Sequence, residues 1–436
     1  MEARRQVPFA VLGVYAAVLV SSLGLTPLWL DEIQQFASKR HTTIPEVIRW
    51  VQLNAGASPL PYLAQRVFVG WFGYSAWAAR FPAAICSVLS GAVFLAVCPR
   101  FLERSRWIAL VLFLTLPIQF RYGLEARVYS QGLLFSLLTL WLFLRLTERY
   151  SAGLAVLYGI AIAAGLYSQP LTVFPVLAQI ALMPRRALIP ACAALLSYLP
   201  WYVAQHQAQV QYALIAPPTA FFSLRQINPK IVLHDITGGG YACTISLFGL
   251  AGWAVGRAPK QRLLLYTVAT SLVGPIVMDV VFNYFFAERQ LLFAMPALVL
   301  LAAQGVDRLR AESRGILAWT LISVFLIAAS LKNFTQATVT RDDLSATADA
   351  ISTRLPAEAC VAAVPREQID FYLFFRPELQ ARVCRNGFPG REMIAATSVY
   401  TTPSERKAFA SSVAARFQPG ETIRIGQSEL TTYSSR

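Results

Sequence analysis

The residues best suited to chemistry are acids and arginines placed at the ends of apolar runs. Asp31 and Glu32, in Leu28-Trp29-Leu30-Asp31-Glu32, directly follow the first such run. Acids do not help anchor a helix end at a membrane interface, so a carboxylate here can serve as a general base or metal ligand. The plainer reading is a solvated helix N-terminus, where Asp and Glu are favoured. A second group, Arg121-Tyr122-Gly123-Leu124-Glu125-Ala126-Arg127-Val128-Tyr129, fills a short connection between two apolar runs. It reads as an interfacial ion pair within an aromatic belt. The alternative is a second carboxylate beside a phosphate-binding cation, because the Arg fork matches phosphate oxygens. Ala287-Glu288-Arg289-Gln290 repeats the theme. Snorkelling explains a single Arg such as Arg80. Arg80, Arg127 and Arg289 nevertheless fall on one face against the trend of the other basic residues, and a lipid-linked phosphate would account for that.

The remaining candidates are thinner. His is scarce: His41, His206 and His234. His234-Asp235 offers a metal pair, with Asp31 and Glu125 as the other metal candidates, but a lone His is more often structural. Gly238-Gly239-Gly240 lacks the Lys-Ser/Thr of a phosphate loop and reads as a bend into an apolar run. Cys86, Cys98, Cys192 and Cys243 lie in apolar runs, where Cys behaves as a small apolar residue. Cys360 and Cys384 both lie near the C-terminus, and an oxidising compartment would allow them a disulfide; two buried thiols are the alternative. No Cys/His cluster has zinc spacing.

These side chains need elements to hold them, and composition says which kind. Of 436 residues 56% are hydrophobic and 14% charged, against about 25% charged in a soluble domain. That excludes disorder and an ordinary soluble enzyme. A polytopic membrane protein with some soluble mass remains. The net charge of +15 sits in short runs between apolar segments, so it reads as the positive-inside pattern and not as a nucleic-acid footprint.

About eleven helical spans are expected, starting near Val7, Ala78, Trp107, Gln131, Gly153, Leu171, Ala187, Gly239, Leu263, Leu291 and Ile316. Gly153 to Met183 is split at Gln169–Pro170, because Pro breaks a helix. With that split every second connection is basic: Arg4 and Arg5; Arg100, Arg104 and Arg106; Arg145 and Arg149; Arg185 and Arg186; Arg257, Lys260 and Arg262; Arg308, Arg310 and Arg314. The N-terminus is then inside and the C-terminus outside. The first run is long and lacks a convincing cleavage site, so it reads as a retained helix.

The outer side carries a first loop, residues 26–77, a second loop, 205–238, and a tail. The first loop reads as helices over Asp31–Arg40, Ile44–Asn54 and an amphipathic Leu60–Phe72. The division is a membrane module over 1–332 and a small α/β domain over 333–436. In that domain Asp342 caps a helix through Leu355, and helices follow over Arg366–Phe375 and Ser404–Phe417. Strand-like runs lie at Cys360–Val364, Ala381–Cys384, Thr397–Thr401 and Thr422–Ile425.

At these residues the chain resembles the GT-C fold, polyprenyl-phosphate-sugar-dependent glycosyltransferases. The likeness is to the bacterial group with the aminoarabinose transferases of lipid A and the RgtA/B/C/D-like sugar transferases, and more distantly to the protein O-mannosyltransferases. It is carried in order by Trp29-Leu30-Asp31-Glu32, Ser58-Pro59-Leu60-Pro61-Tyr62, Ala79-Arg80-Phe81-Pro82, Glu125-Ala126-Arg127-Val128-Tyr129 and Glu288-Arg289-Gln290-Leu291-Leu292, with Pro296. The resemblance implies that Asp31 is the catalytic base or its close partner, supported by Glu32; Glu125 is a further catalytic candidate. It implies a cavity reached by the Glu125–Tyr129 loop, with Arg289 on the phosphate of the lipid donor. Arg127, Arg80, Tyr62 and Tyr129 are the further donor-binding candidates. The chain departs at Ser58-Pro59-Leu60, where many relatives carry a cation, and at Arg289-Gln290, where many have Arg-Tyr. The identity of the second acid and dependence on a divalent cation therefore stay open.

The expectation is a glycosyltransferase of a bacterial inner membrane, with active site and tail on the outer, periplasmic face. It would move a sugar from a polyprenyl-phosphate donor to an envelope glycolipid such as lipid A, a glycan or a protein, with inversion implied by the resemblance. Membrane lipids are its surroundings. A transporter or a lipid-linked-sugar flippase is the alternative.

Overall fold

Apolar runs become helices here because Ser, Pro and Gly punctuate them. In the computed structural model Ser75 opens Ala76–Val97 by accepting a hydrogen bond from the Ala78 amide, 3.1 Å. Ser151 does the same for Ala152–Ser168 through Leu154, 3.2 Å. Such caps contribute about 1 kcal/mol each. Pro59 opens Pro59–Phe72, and Pro117 ends Arg106–Thr115 and starts Pro117–Gly123. The structure describes residues 2–36, 43–53, 58–73, 75–182, 185–215, 229–255, 259–282, 286–339, 343–356, 359–384, 391–398 and 401–436. His41 and residues 216–228 of the second outer loop lie outside them.

The protein is a multi-pass membrane protein. Among the described residues six helices are long and apolar enough to cross a membrane: Ala76–Arg100, Tyr129–Glu148, Leu188–Gln207, Gln261–Val281, Glu288–Ala311 and Gly315–Thr338. Shorter apolar helices run over Val7–Ser22, Arg106–Thr115, Ala152–Ser168 and Pro170–Ile180, and Gly240–Ala254 is another. The chain does break at Gln169–Pro170. Pro170 has no amide to give the Leu166 carbonyl, and the buried Ser58 hydroxyl donates to that carbonyl instead, 3.2 Å. The piece after the break is shorter than expected of a span: eleven residues at 1.5 Å each reach about 16 Å, against a hydrocarbon core of about 30 Å.

The chain forms two compact units, residues 1–23 with 38–337, and residues 24–37 with 338–436. The boundary thus falls at Thr338, and the segment holding Asp31 and Glu32 groups with the tail instead of with the membrane helices. In the first unit Glu288–Ala311 is the central element. It packs on Gly240–Ala254, Pro259–Phe282 and Arg106–Thr115. At Gly305 an added Cβ would lie 1.8 Å from the Leu250 carbonyl oxygen, so only glycine permits this approach.

The second unit holds a four-stranded sheet, β1 Cys360–Val364, β2 Glu392–Thr397, β3 Phe417–Ile425 and β4 Ser428–Ser435, in the order β1-β2-β4-β3. β1 and β2 are parallel, and the other pairs antiparallel. Its helices are Leu30–Phe36, Leu344–Arg354, Ile369–Phe375 and Pro403–Val413. Asp343 caps Leu344–Arg354 through the Ala346 amide, 2.9 Å; the expected cap, Asp342, lies outside the described residues. Thr402 and Glu405 form a capping box on Pro403–Val413. One strand expectation fails: Pro377–Arg382 is a 3₁₀ turn, and Ala381–Cys384 contributes only the single bridge Val361–Val383. Of the run expected over Thr397–Thr401, Thr397 closes β2, and Val399 and Tyr400 lie outside the described residues. Cys360 and Cys384 are joined by a disulfide, their Cα atoms 5.1 Å apart.

Candidate active site

In the membrane unit, the helix ends bring charged and aromatic side chains together. Pro117–Gly123 delivers Arg121 and Tyr122, the connection after it delivers Glu125, and Tyr129 opens the next helix. The Arg121 Nε donates to Glu125 Oε1 at 2.9 Å, and Glu125 is buried. Arg121 also lies over the Tyr122 ring, 5.4 Å from its centroid. Tyr122 is buried against Tyr129, centroids 4.6 Å apart. Ser130 Oγ donates to the Tyr122 carbonyl, 2.7 Å, tying the two helix ends together.

The 3₁₀ segment Glu288–Ala294 adds Arg289, whose guanidinium sits over the Tyr129 ring, 5.9 Å from its centroid. Gly132 allows this closeness. A Cβ there would meet Gln169 Cβ at 2.9 Å and the Phe293 ring at 3.2 Å. Two helix breaks, at Gln169–Pro170 and at Glu288–Ala294, therefore border the same turn of Tyr129–Glu148. Such breaks leave polar backbone where a site can form inside a membrane protein.

Of the expected residues, Glu125, Tyr129 and Arg289 gather here. Arg127 is half-buried in the same connection, and its amide donates to the Glu125 carbonyl, 2.7 Å. Arg121, part of the group read as an interfacial ion pair but not among the named site candidates, is an ion-pair partner of the acid. Its signal is the i,i+4 spacing. Arg80 is buried and donates to the Leu23 carbonyl, 2.8 Å, at the end of the first helix. Tyr62 is buried edge-on to Trp50, centroids 5.8 Å apart.

In the other unit Asp31 is half-buried in the first turn of Leu30–Phe36. Glu32 is fully buried, and its Oε2 accepts from the Trp29 amide, 3.2 Å, so it caps the helix that carries Asp31. His234 shares a 2.7 Å hydrogen bond with Asp235 and stands edge-on to Tyr241. Among the described residues no three His, Cys, Asp or Glu side chains gather into a group able to hold a metal ion.

The arrangement invites comparison with known proteins. The chain superposes on the crystal structure of ArnT from Cupriavidus metallidurans in the apo state, with a TM-score of 0.61 and 15% identity over 99% of this chain and 98% of that one. The chain has the GT-C fold. A second structure of that protein, bound to undecaprenyl phosphate, gives a TM-score of 0.62 at 15% identity over 98% of both chains. The mycobacterial arabinofuranosyltransferase AftD gives 0.52 at 15% identity, over 98% of this chain and 41% of that one. A family model described as dolichyl-phosphate-mannose-protein mannosyltransferase matches residues 57–209. That segment contains the Glu125–Tyr129 part of the cluster, while Arg289 lies beyond it. A search of curated proteins finds no match.

Proposed function

We propose that the protein is an integral-membrane glycosyltransferase that moves a sugar from a polyprenyl-phosphate donor to an acceptor on the outer face of a bacterial inner membrane. The observation that carries this reading is the Arg121–Glu125 pair beside Arg289 and Tyr129, at helix ends of a GT-C fold. ArnT bound to undecaprenyl phosphate supports the choice of lipid. The proposed topology has eleven crossings, N-terminus inside and C-terminus outside. Ten of the eleven expected starts fall in helices and the other, Gly239, immediately precedes one, and the basic connections of the sequence alternate with the others.

In the proposed reaction an acceptor hydroxyl attacks the anomeric carbon and Asp31 takes its proton. The new C–O bond forms as the bond to the phosphate oxygen breaks, which inverts the anomeric centre. The polyprenyl phosphate leaves as an anion. The reading assigns the neutralisation of that charge to Arg289, with Arg127, an effect typically worth about 10²–10³ in rate per donor. Glu125 holds Arg121 and shapes the polar end of the cluster. No step is assigned to a metal ion, because the described residues assemble no donor set for one. The acceptor is an envelope glycolipid, glycan or protein.

The transporter reading draws on Asp279, buried within Pro259–Phe282. The other acids and arginines of the candidate site cluster at helix ends, which favours the transferase. The test is purified protein in nanodiscs with a panel of radiolabelled polyprenyl-phosphate sugars and a membrane extract as acceptor. Wild type is expected to release sugar from one donor, and Asp31→Asn to lose that release. Equal turnover by both would remove Asp31 as the base. No release from any donor in the panel would sink the transferase reading.

A further inference from the structure

Leu30–Phe36 has only seven residues, too few for a helix to hold its shape unaided. It belongs to the unit formed by residues 338–436 and packs on the helix Ile369–Phe375. Its buried side chains are Glu32, Ile33 and Gln35, whereas Gln34 is exposed and Asp31 half-buried. At about 100° per residue, Asp31 and Gln34 share one side and the buried three share the other. The packed side thus fixes the rotation of the helix about its axis, and with it the direction in which Asp31 is presented.

The supporting helix is held from both ends. Cys360 precedes it, Cys384 follows it, and the two are bonded. Beside that link the Cys384 amide donates to the Val361 carbonyl, 2.9 Å. Within Ile369–Phe375, Tyr372 and Leu373 are buried. The disulfide therefore closes a loop whose contents are the seat of the Asp31 helix.

We propose that the C-terminal unit is a positioning device for Asp31, in which Ile369–Phe375 seats the Leu30–Phe36 helix and the Cys360–Cys384 disulfide holds the seat. The inference rests on the reading of Asp31 as the base. Tyr372 and Leu373 act through that helix and are positioning residues. Loosening the seat lowers the fraction of time that Asp31 spends in line with the acceptor, so it lowers kcat and leaves donor binding unchanged.

The test uses the full chain in nanodiscs and four variants: Leu373→Ala, Leu373→Met, the double Cys360→Ser/Cys384→Ser, and Asp31→Asn. Amide hydrogen exchange over residues 30–36 reads the seating without reference to activity. Exchange is expected to quicken in Leu373→Ala and in the double variant, and to return to wild-type rates in Leu373→Met. Turnover is expected to fall about 10–100-fold in kcat with an unchanged donor KM, and Leu373→Met should recover it. If Leu373→Ala does not fold, the double variant gives the same two readouts. Unchanged exchange in the loosened variants overturns the proposal, as does faster exchange with full kcat. An active Asp31→Asn would sink the base and, with it, the catalytic half of the proposal, while the exchange rates would still decide the seating.

Discussion

Glu288–Ala311 and Gly315–Thr338 are consecutive apolar helices of the membrane unit, equal in length, and the second is the more hydrophobic. Yet 89% of the most apolar stretch of the first is buried inside the protein, and 22% of that of the second. The second packs only through a stripe that includes Ala318, Ile322, Phe325 and Ala329, spaced four, three and four apart. The first is packed nearly all round and opens with Arg289. Hydropathy thus marks what can enter a bilayer, and it does not mark which helix forms the core. The charged side chain of the candidate site, Arg289, stands at the start of the more buried helix.

The contrast can be broken most severely at Gly305. Gly305→Val would drive its side chain into the Leu250 backbone, a misfit expected to cost about 3 kcal/mol or more. Thermal unfolding in detergent should show a large loss or no folded protein. A normal melting curve would mean that the two helices are not so close. The next effect lies at the site end of the same helix. Arg289→Ala should leave the melting curve near wild type and cut donor turnover about 10²–10³-fold, as measured by release of labelled sugar. Unimpaired turnover would detach the core helix from function. The smallest effect is on the outward helix. Ile327, 63% exposed, should tolerate Ala with a change of about 0.5 kcal/mol or less. A cost of several kcal/mol in the same assay would show that this face meets protein instead of lipid.

Much of this was legible in the residues. Pro170 announced a helix break, and the apolar runs marked the helices. The acids and arginines at helix ends marked out Glu125 and Arg289. Local signals failed where partners are distant or side chains are neutral on the question. β4, Ser-Glu-Leu-Thr-Thr-Tyr-Ser-Ser, is too polar to show the alternation of a buried strand and is placed only by its ladders to β2 and β3. The grouping of Asp31 with residues 338–436 is a contact across some three hundred residues, which no pattern of period two or 3.6 encodes. The Arg121–Glu125 pair was within reach of helix spacing, but Arg127, nearer in sequence, drew the attention.

The place of Glu288–Ala311 in the chain sets the timetable of assembly. A ribosome working from the N-terminus delivers it after most of the helices it joins, including Arg106–Thr115, Tyr129–Glu148 and Gly240–Ala254. Those helices must wait in the bilayer with their close-packing faces against lipid, and short pieces such as Pro170–Ile180 wait with them. The nascent protein therefore has a long window in which quality-control proteases meet an unfinished bundle. That window closes when one late helix arrives and fills the middle.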